Sequence, residues 1–224
     1  MNFVQADAAH LPFRNHCFAA IILNHSLEHF INLAPALREM GRVSSPAGAM
    51  FVAVPDSSTL SDRLYRWLGR GGGHVNAFTS AADVAAVVEH ATGLRHVATR
   101  TLCTSLSFLN RRNIPDGRLP RRAWLVGGGN ETILRFATYL FRKFDRCFGT
   151  RTSIYGWAFY FGKVAQNPDP LAWTNVCIRC GSGHPSAWLR RQPSYRHSLF
   201  LSSYSCPNCG ARNLYTSDAS SSRP

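Results

Sequence analysis

The chain has 224 residues, with 25 Lys and Arg against 12 Asp and Glu and a formal net charge of +13. That length holds one domain and a small module. No run reaches the roughly 18 apolar residues that cross a bilayer, and no basic segment with a long apolar stretch follows Met1. The expectation is a soluble, cytoplasmic protein with no transmembrane segment and no signal peptide.

Short apolar runs at Phe3–Ala6, Phe18–Leu23 and Ala49–Val54 suit strands buried on both faces of a parallel sheet. Between the last two, Leu33, Ala36, Leu37, Met40 and Val43 recur at helical spacing, so Ile31–Val43 reads as a helix that Ser44–Gly48 stops. Strand, helix and strand with short connections predict a right-handed βαβ unit. In open sheets of this kind ligands sit beyond the carboxyl ends of the strands, where Asp7 and Asn24 stand. Asp56–Gly73 reads as a loop or lid carrying a short helix, Leu60–Leu68. A helix over Ala81–Ala91 has Thr79 or Ser80 to cap it and Gly93 to end it. Arg95–Leu109 and Thr152–Val164 complete the set of strands, the second through Ile154, Trp157, Phe159 and Phe161.

Between those strands lies an insertion, Asn110–Arg151, with a helix over Glu131–Phe148. Ile133, Leu134, Phe136, Leu140, Phe141, Phe144 and Phe148 give that helix an apolar side, and Arg135, Arg142, Lys143 and Arg146 surround it. Two readings stand. Such a helix lies on an anionic membrane surface, or its Phe face packs on the sheet and its Arg face is merely in water. Just before it, Trp124 to Asn130 resembles a strand, a Gly-rich turn and a helix N-terminus that cradles an anion. The dinucleotide fingerprint fails at Thr132, so a plain loop entering a helix is the preferred reading.

Near the C-terminus, Cys177-x-x-Cys180 and Cys206-x-x-Cys209 are 25 residues apart, and Gly181 and Gly210 follow them. Two such knuckles place four thiolates tetrahedrally about one Zn²⁺. We expect a zinc ribbon over residues 173–215, a linker at 166–172 before it and a disordered tail at 216–224 after it. Cys17, Cys103 and Cys147 read as small buried apolar residues. Charge is uneven: residues 1–60 carry 3 basic and 4 acidic residues, residues 111–165 carry 11 and 3, and residues 166–224 carry 6 and 2. The basic excess of the insertion and ribbon attracts phosphate, in nucleic acid or in lipid head groups.

Several blocks, in this order, resemble the class I S-adenosylmethionine-dependent methyltransferase family. They are Asp7-Ala8-Ala9-His10-Leu11-Pro12-Phe13, the run Phe18 to Phe30 with Leu27-Glu28-His29, the turn Pro46-Ala47-Gly48 before a strand, and His74-x-x-x-Phe78-Thr79. Ala19 and Ala47 depart from the family pattern, which has Asp and Gly there. The resemblance covers residues 2–164 and implies a partial Rossmann-like α/β sheet over 1–165, with the zinc ribbon appended. It places the adenine of S-adenosylmethionine at Asp7 and Ala8 and the methionine end of that cofactor at Asn24. Glu28 and His29 resemble the Leu-Glu-His block of small-molecule methyltransferases, where such a pair in some members binds a metal or positions substrate. His29 or His25 is the candidate base, and the acceptor is a small molecule or a saccharide or lipid precursor. The family's first strand and Gly-rich loop come before the Asp7 block, and this chain starts at Met1. The expectations from that are weak cofactor binding and an exposed sheet edge prone to aggregation or oligomerisation. A second functional reading is an RNA-modifying or nucleic-acid-binding protein, gripped through the ribbon and the Arg-rich insertion. Trp173, Trp188, Tyr195, Tyr204 and Tyr215 would then stack on bases.

Overall fold

A computed structural model of the chain describes residues 3–68, 73–113, 121–164, 173–199 and 201–217. The expected linker at 166–172 and residues 218–224 of the expected tail lie outside the described residues. In chain order the larger elements are β1 (Phe18–Asn24), α1 (Leu33–Val43), β2 (Ser44–Pro55), α2 (Leu60–Leu68), α3 (Ala81–Thr92), β3 (His96–Cys103), α4 (Glu131–Phe148) and β4 (Ile154–Gly162). Shorter ones follow: β5 (Asn175–Val176), β6 (Gly183–His184), α5 (Ser186–Arg190), β7 (Ser203–Ser205) and β8 (Arg212–Leu214). The chain divides into two compact units. One comprises Met1–Ser58, Gly73–Thr101 and Gly156–Leu171; the other comprises Thr59–Gly72, Leu102–Tyr155 and Ala172–Pro224.

The four long strands form one sheet in the order β1-β2-β4-β3. β1 and β2 are parallel, with α1 as their crossover, whereas β2 and β4 are antiparallel. The protein is therefore α/β with a mixed sheet. In the first unit Leu23, Leu37, Val52, Val54, Val84, Val88, Phe159 and Phe161 form a continuous core. α1 and α3 pack closely there: a Cβ on Gly41 would come to 2.6 Å from the Thr92 carbonyl oxygen, so only glycine fits. α3 begins at Ser80, whose hydroxyl accepts from the Asp83 N–H at 3.3 Å, and ends at Gly93 with φ +70°.

Three strand expectations need correction. Phe3–Ala6 is not a strand; it has no ladder partner among the described residues, and Phe3 is 87% exposed. β1, at one end of the described sheet, is not covered on both faces: Ile22 lies in solvent. The run from Arg95 pairs only to Cys103, after which Leu106 adopts φ +55° and Ser107–Leu109 turns as a 3₁₀ helix. The helix expected from Ile31 starts at Leu33, and β2 begins directly at its end, at Ser44. Trp124–Val126 also lies in a 3₁₀ turn, Arg121–Val126, rather than in a strand.

The second unit is organised around α4. Asn130 caps it by accepting from the Thr132 N–H at 2.9 Å and the Ile133 N–H at 3.2 Å, and Gly149 closes it at φ +66°. Its buried side is Leu134, Thr138 and Arg142, one residue per turn. The Thr138 hydroxyl donates to the Ser105 carbonyl at 3.0 Å, and the Arg142 guanidinium donates to the Val176 carbonyl at 2.9 Å. The face expected to pack on the sheet does not pack: Phe136, Leu140, Phe144 and Phe148 are all exposed. The residues that bury α4 are instead Leu68, Leu106, Leu109 and Ala123, together with the segment around Val176. Cys103 is buried as expected, Cys17 is half-buried, and Cys147 is exposed on α4.

Candidate functional site

Asp7 sits in a tight turn. Its Oδ1 accepts from the Ala9 N–H at 2.9 Å, and its Oδ2 lies 3.2 Å from His10 Nδ1. These contacts, the Ala9 N–H first, hold the Asp7 carboxyl below its ordinary range. The side chain remains largely exposed, so lone pairs are left for an exocyclic amine. Ala8 is half-buried against the core of the first unit.

What fixes this turn relative to the sheet is a clamp on α1. Arg42 donates to both Glu39 oxygens at 2.7 and 2.8 Å, to the Leu11 and Phe13 carbonyls at 3.0 and 2.7 Å, and to Asn15 Oδ1 at 2.8 Å. Glu39 Oε2 in turn accepts from the Leu11 N–H at 2.8 Å. The Arg42 hydrogen bonds, with that N–H, bring the Glu39 carboxyl down to about 2. Sequence reading did not single this pair out. The only available signal was a Glu and an Arg three residues apart on the polar side of α1.

Asn24 ends β1 and is exposed. The next residue, His25, has φ +51°, and its N–H donates to the Ala53 carbonyl at 3.0 Å. That bend turns the chain into the 3₁₀ turn Leu27–His29. His25 Nδ1 lies 3.5 Å from Glu28 Oε1, while Glu28 is 1% exposed and its Oε2 has no hydrogen-bond partner among the described residues. Segment 73–76 folds over this turn: the Glu28 carbonyl accepts from the Val75 and Asn76 N–H groups at 2.7 and 3.0 Å. Asn76 Nδ2 also donates to the Leu27 and Phe30 carbonyls at 3.0 and 2.8 Å. The fold thus carries His74 to His29, ring centroids 5.0 Å apart and nearly perpendicular.

One ligand atom each from Glu28, His29 and His74 lies within 4.8 Å of the others, a carboxylate and two imidazoles that suit a divalent cation. His29 is exposed, and its Nδ1 lies 3.0 Å from the Gly73 carbonyl. A carbonyl only accepts, so in the neutral ring Nδ1 carries the proton and Nε2 keeps a lone pair, the tautomer a base requires. Of the two candidate bases, His25 and His29, the latter is therefore better prepared. His74 was visible in sequence only through its His-x-x-x-Phe-Thr setting.

In the second unit the four cysteines converge. Their Sγ atoms lie within 4.8 Å of one another, with Cys177–Cys209 and Cys180–Cys206 both at 3.6 Å. A tetrahedron with metal–sulfur bonds of about 2.3 Å has edges of about 3.8 Å, so the donor set fits Zn²⁺. The two knuckles repeat one backbone pattern. Gly181 N–H donates to the Cys177 carbonyl at 3.0 Å and Gly210 N–H to the Cys206 carbonyl at 2.8 Å, with φ +72° and +70°. Those left-handed positions explain the glycine after each pair. Burial raises the Cys177 and Cys206 thiols, whereas at Cys180 it is outweighed by the Ser182 hydroxyl and N–H, which bring that thiol to about 7. Asn213 and His184 also reach the cluster, Nδ2 at 3.5 Å from Cys177 Sγ and Nε2 at 3.5 Å from Cys206 Sγ. Of the aromatics expected to stack on bases, Tyr204 and Tyr215 are buried, and Trp188 stacks on His184.

Residues 1–52 match the family described as Methyltransferase domain. Over 52 residues the chain is 36% identical to the ubiquinone/menaquinone biosynthesis C-methyltransferase UbiE of Haemophilus ducreyi, a match covering 23% of this chain and 20% of that protein. Over 62 residues it is 37% identical to the demethylmenaquinone methyltransferase of Mycolicibacterium paratuberculosis, covering 28% and 26%. The chain therefore spans about a fifth to a quarter of the length of the curated relatives it matches. Among solved structures it is similar to the YcgJ protein of Bacillus subtilis at a TM-score of 0.43 and 18% identity, over 73% of this chain and 71% of that one. Over its N-terminal blocks this chain is methyltransferase-like in sequence, and those blocks build the β1-α1-β2 unit and the Asp7 and His29 turns.

Proposed function

We propose that the chain carries part of a S-adenosylmethionine-dependent methyltransferase site acting on a small molecule or a saccharide or lipid precursor. The observation behind this reading is the match over residues 1–52, which contains Asp7, Ala8, Asn24, His25 and His29. The residues fit the cofactor chemically. Asp7 offers a solvent-facing acceptor for an adenine amine, Ala8 adjoins it, and Asn24 stands at the carboxyl end of β1. When bound, S-adenosylmethionine supplies an electrophilic methyl group. His29, with Nε2 unprotonated, accepts the proton that an acceptor hydroxyl or amine gives up as its oxygen or nitrogen is methylated. Asp7, Ala8 and Asn24 orient, and positioning supplies much of the rate.

The second unit, in this reading, holds one Zn²⁺ on Cys177, Cys180, Cys206 and Cys209, fixing two hairpins, β5–β6 and β7–β8, about one point.

Calorimetry of the full chain with S-adenosylhomocysteine tests the first part. Weak, saturable binding that Asp7→Ala abolishes supports it, and binding indifferent to Asp7→Ala refutes the assignment of the adenine site. Metal analysis after purification tests the second, with one zinc per chain expected and none in the Cys177→Ser, Cys206→Ser double variant.

A further inference from the structure

We propose that the outer face of α4 docks on an anionic phospholipid bilayer. Ile133, Phe136, Leu140, Phe144 and Phe148 recur every three or four residues and form one stripe along the 18-residue helix. All five are exposed, Leu140 by 60% and Phe148 by 68%. Scattered exposed apolar residues are ordinary, but a continuous stripe on an unburied helix face marks an interaction surface. The stripe also has an apolar approach: the Gly127 turn lies against Ile133, and just before it Leu125 is 81% exposed and Trp124 is largely so.

The charges around the stripe decide its occupant. Both carboxylates of α4 are engaged elsewhere. Glu131 takes the Arg179 guanidinium in two 2.8 Å bonds. Asp145 accepts from Thr152 and Ser153 N–H groups at 2.6 and 2.7 Å and from the Thr150 hydroxyl at 2.6 Å. What borders the apolar side is cationic. Lys143 stands over the Tyr139 ring at 5.5 Å, and Arg111 stacks on Trp124 at 4.7 Å. In the same unit Arg111, Arg112, Arg121, Arg122, Arg146 and Arg151 are exposed.

A second copy of the chain would bring two such cationic surfaces together, which repel. Nucleic acid would satisfy the charge and leave an Ile, Leu and Phe stripe unused. A bilayer with acidic headgroups answers both, taking the side chains below the headgroups and the Lys and Arg groups among them. The helix lies along the surface, since its opposite side is occupied by Leu134, Thr138 and Arg142 and no described helix is long and apolar enough to cross a membrane.

The test is co-sedimentation of the full chain with phosphatidylcholine vesicles made with and without phosphatidylglycerol. We expect binding to the acidic vesicles, weakened by salt, with quenching of tryptophan fluorescence by bromine-labelled acyl chains. Leu140→Glu with Phe144→Glu should reduce binding by roughly tenfold or more. Lys143→Glu should reduce it less. These side chains are exposed, so the variants fold, and far-UV circular dichroism verifies it. The proposal is overturned if acidic vesicles do not retain the protein, or if the double variant binds them undiminished. A concentration-dependent dimer dissolved by the same two substitutions, without vesicle binding, would assign the face to a second copy instead.

Discussion

Asn213 ties the cysteine cluster to the backbone of both knuckles. It is buried, its Oδ1 accepts from the Ile178 N–H at 2.9 Å, and its Nδ2 donates to the Ala211 carbonyl at 2.8 Å and to Cys177 Sγ at 3.5 Å. It therefore links the first knuckle to the second and gives the Cys177 sulfur a donor. Asn213→Ala leaves the buried Ile178 N–H without an acceptor and removes the bond to Ala211, for a loss of about 2–4 kcal/mol of stability. Asn213→Asp has the same shape and keeps the Ile178 bond, but it turns both donor contacts into contacts between acceptors. It also sets a carboxylate beside a centre that, with the proposed Zn²⁺ on four thiolates, would already carry excess negative charge. Substitutions of this outer kind cost about 10–100-fold in metal affinity, or about 1.4–2.7 kcal/mol. The Asp variant should be the more impaired of the two in zinc affinity. Competition against a chromophoric chelator measures the affinities, and thermal melting with zinc present measures stability. Unchanged zinc affinity in Asn213→Asp, or an unchanged melting temperature in Asn213→Ala, would refute the reasoning.

Further expectations concern the first unit. Leu37 on α1 is completely buried, so Leu37→Ala should lower stability by about 2–5 kcal/mol in denaturant titration, and a loss below about 1 kcal/mol would mean that α1 does not pack as described. Glu39 titrates at about 2 rather than 4.5, chiefly because of Arg42. A carboxyl lowered in the folded state contributes stability that is fully present above its ordinary value and lost as pH falls through its folded one. The melting temperature should therefore fall between pH 4.5 and about 2, with a shallower slope in Glu39→Gln; equal slopes would remove the clamp from the account. The Glu28, His29 and His74 cluster should take up Mn²⁺, seen as quenching of the free-ion paramagnetic resonance signal, and since His29 has one lone pair to give, at Nε2, the bound ion should block its action as a base. Glu28→Gln and His74→Ala should each abolish that uptake, and uptake as strong as in the unsubstituted chain by either variant would place the ion elsewhere.

The sequence by itself determined the elements whose ends are closed by neighbours in the chain. α2 and α4 have the bounds read from their apolar spacing, and α3 runs one residue past its expected end, to Thr92. Ser80, Gly93, Asn130 and Gly149 close helix ends through hydrogen bonds and left-handed φ values reaching only a few residues away. The cysteine knuckles were legible for the same reason, since each is built from consecutive residues and a glycine. Only the tertiary structure decided which runs found partners. Phe3–Ala6 has the composition of a strand but joins no ladder among the described residues, because pairing is settled by the rest of the sheet. The Arg42 clamp and the meeting of His29 with His74 join segments dozens of residues apart, which spacing along one element does not encode. The helix α4 shows the division most clearly. Periodicity fixed that it is a helix with an apolar stripe, whereas the surrounding segments fixed which side is buried, and they covered Leu134, Thr138 and Arg142 and part of Phe141 while leaving Phe136, Phe144 and Phe148 in solvent. Burial follows from what packs against a surface, and those partners come from distant parts of the chain.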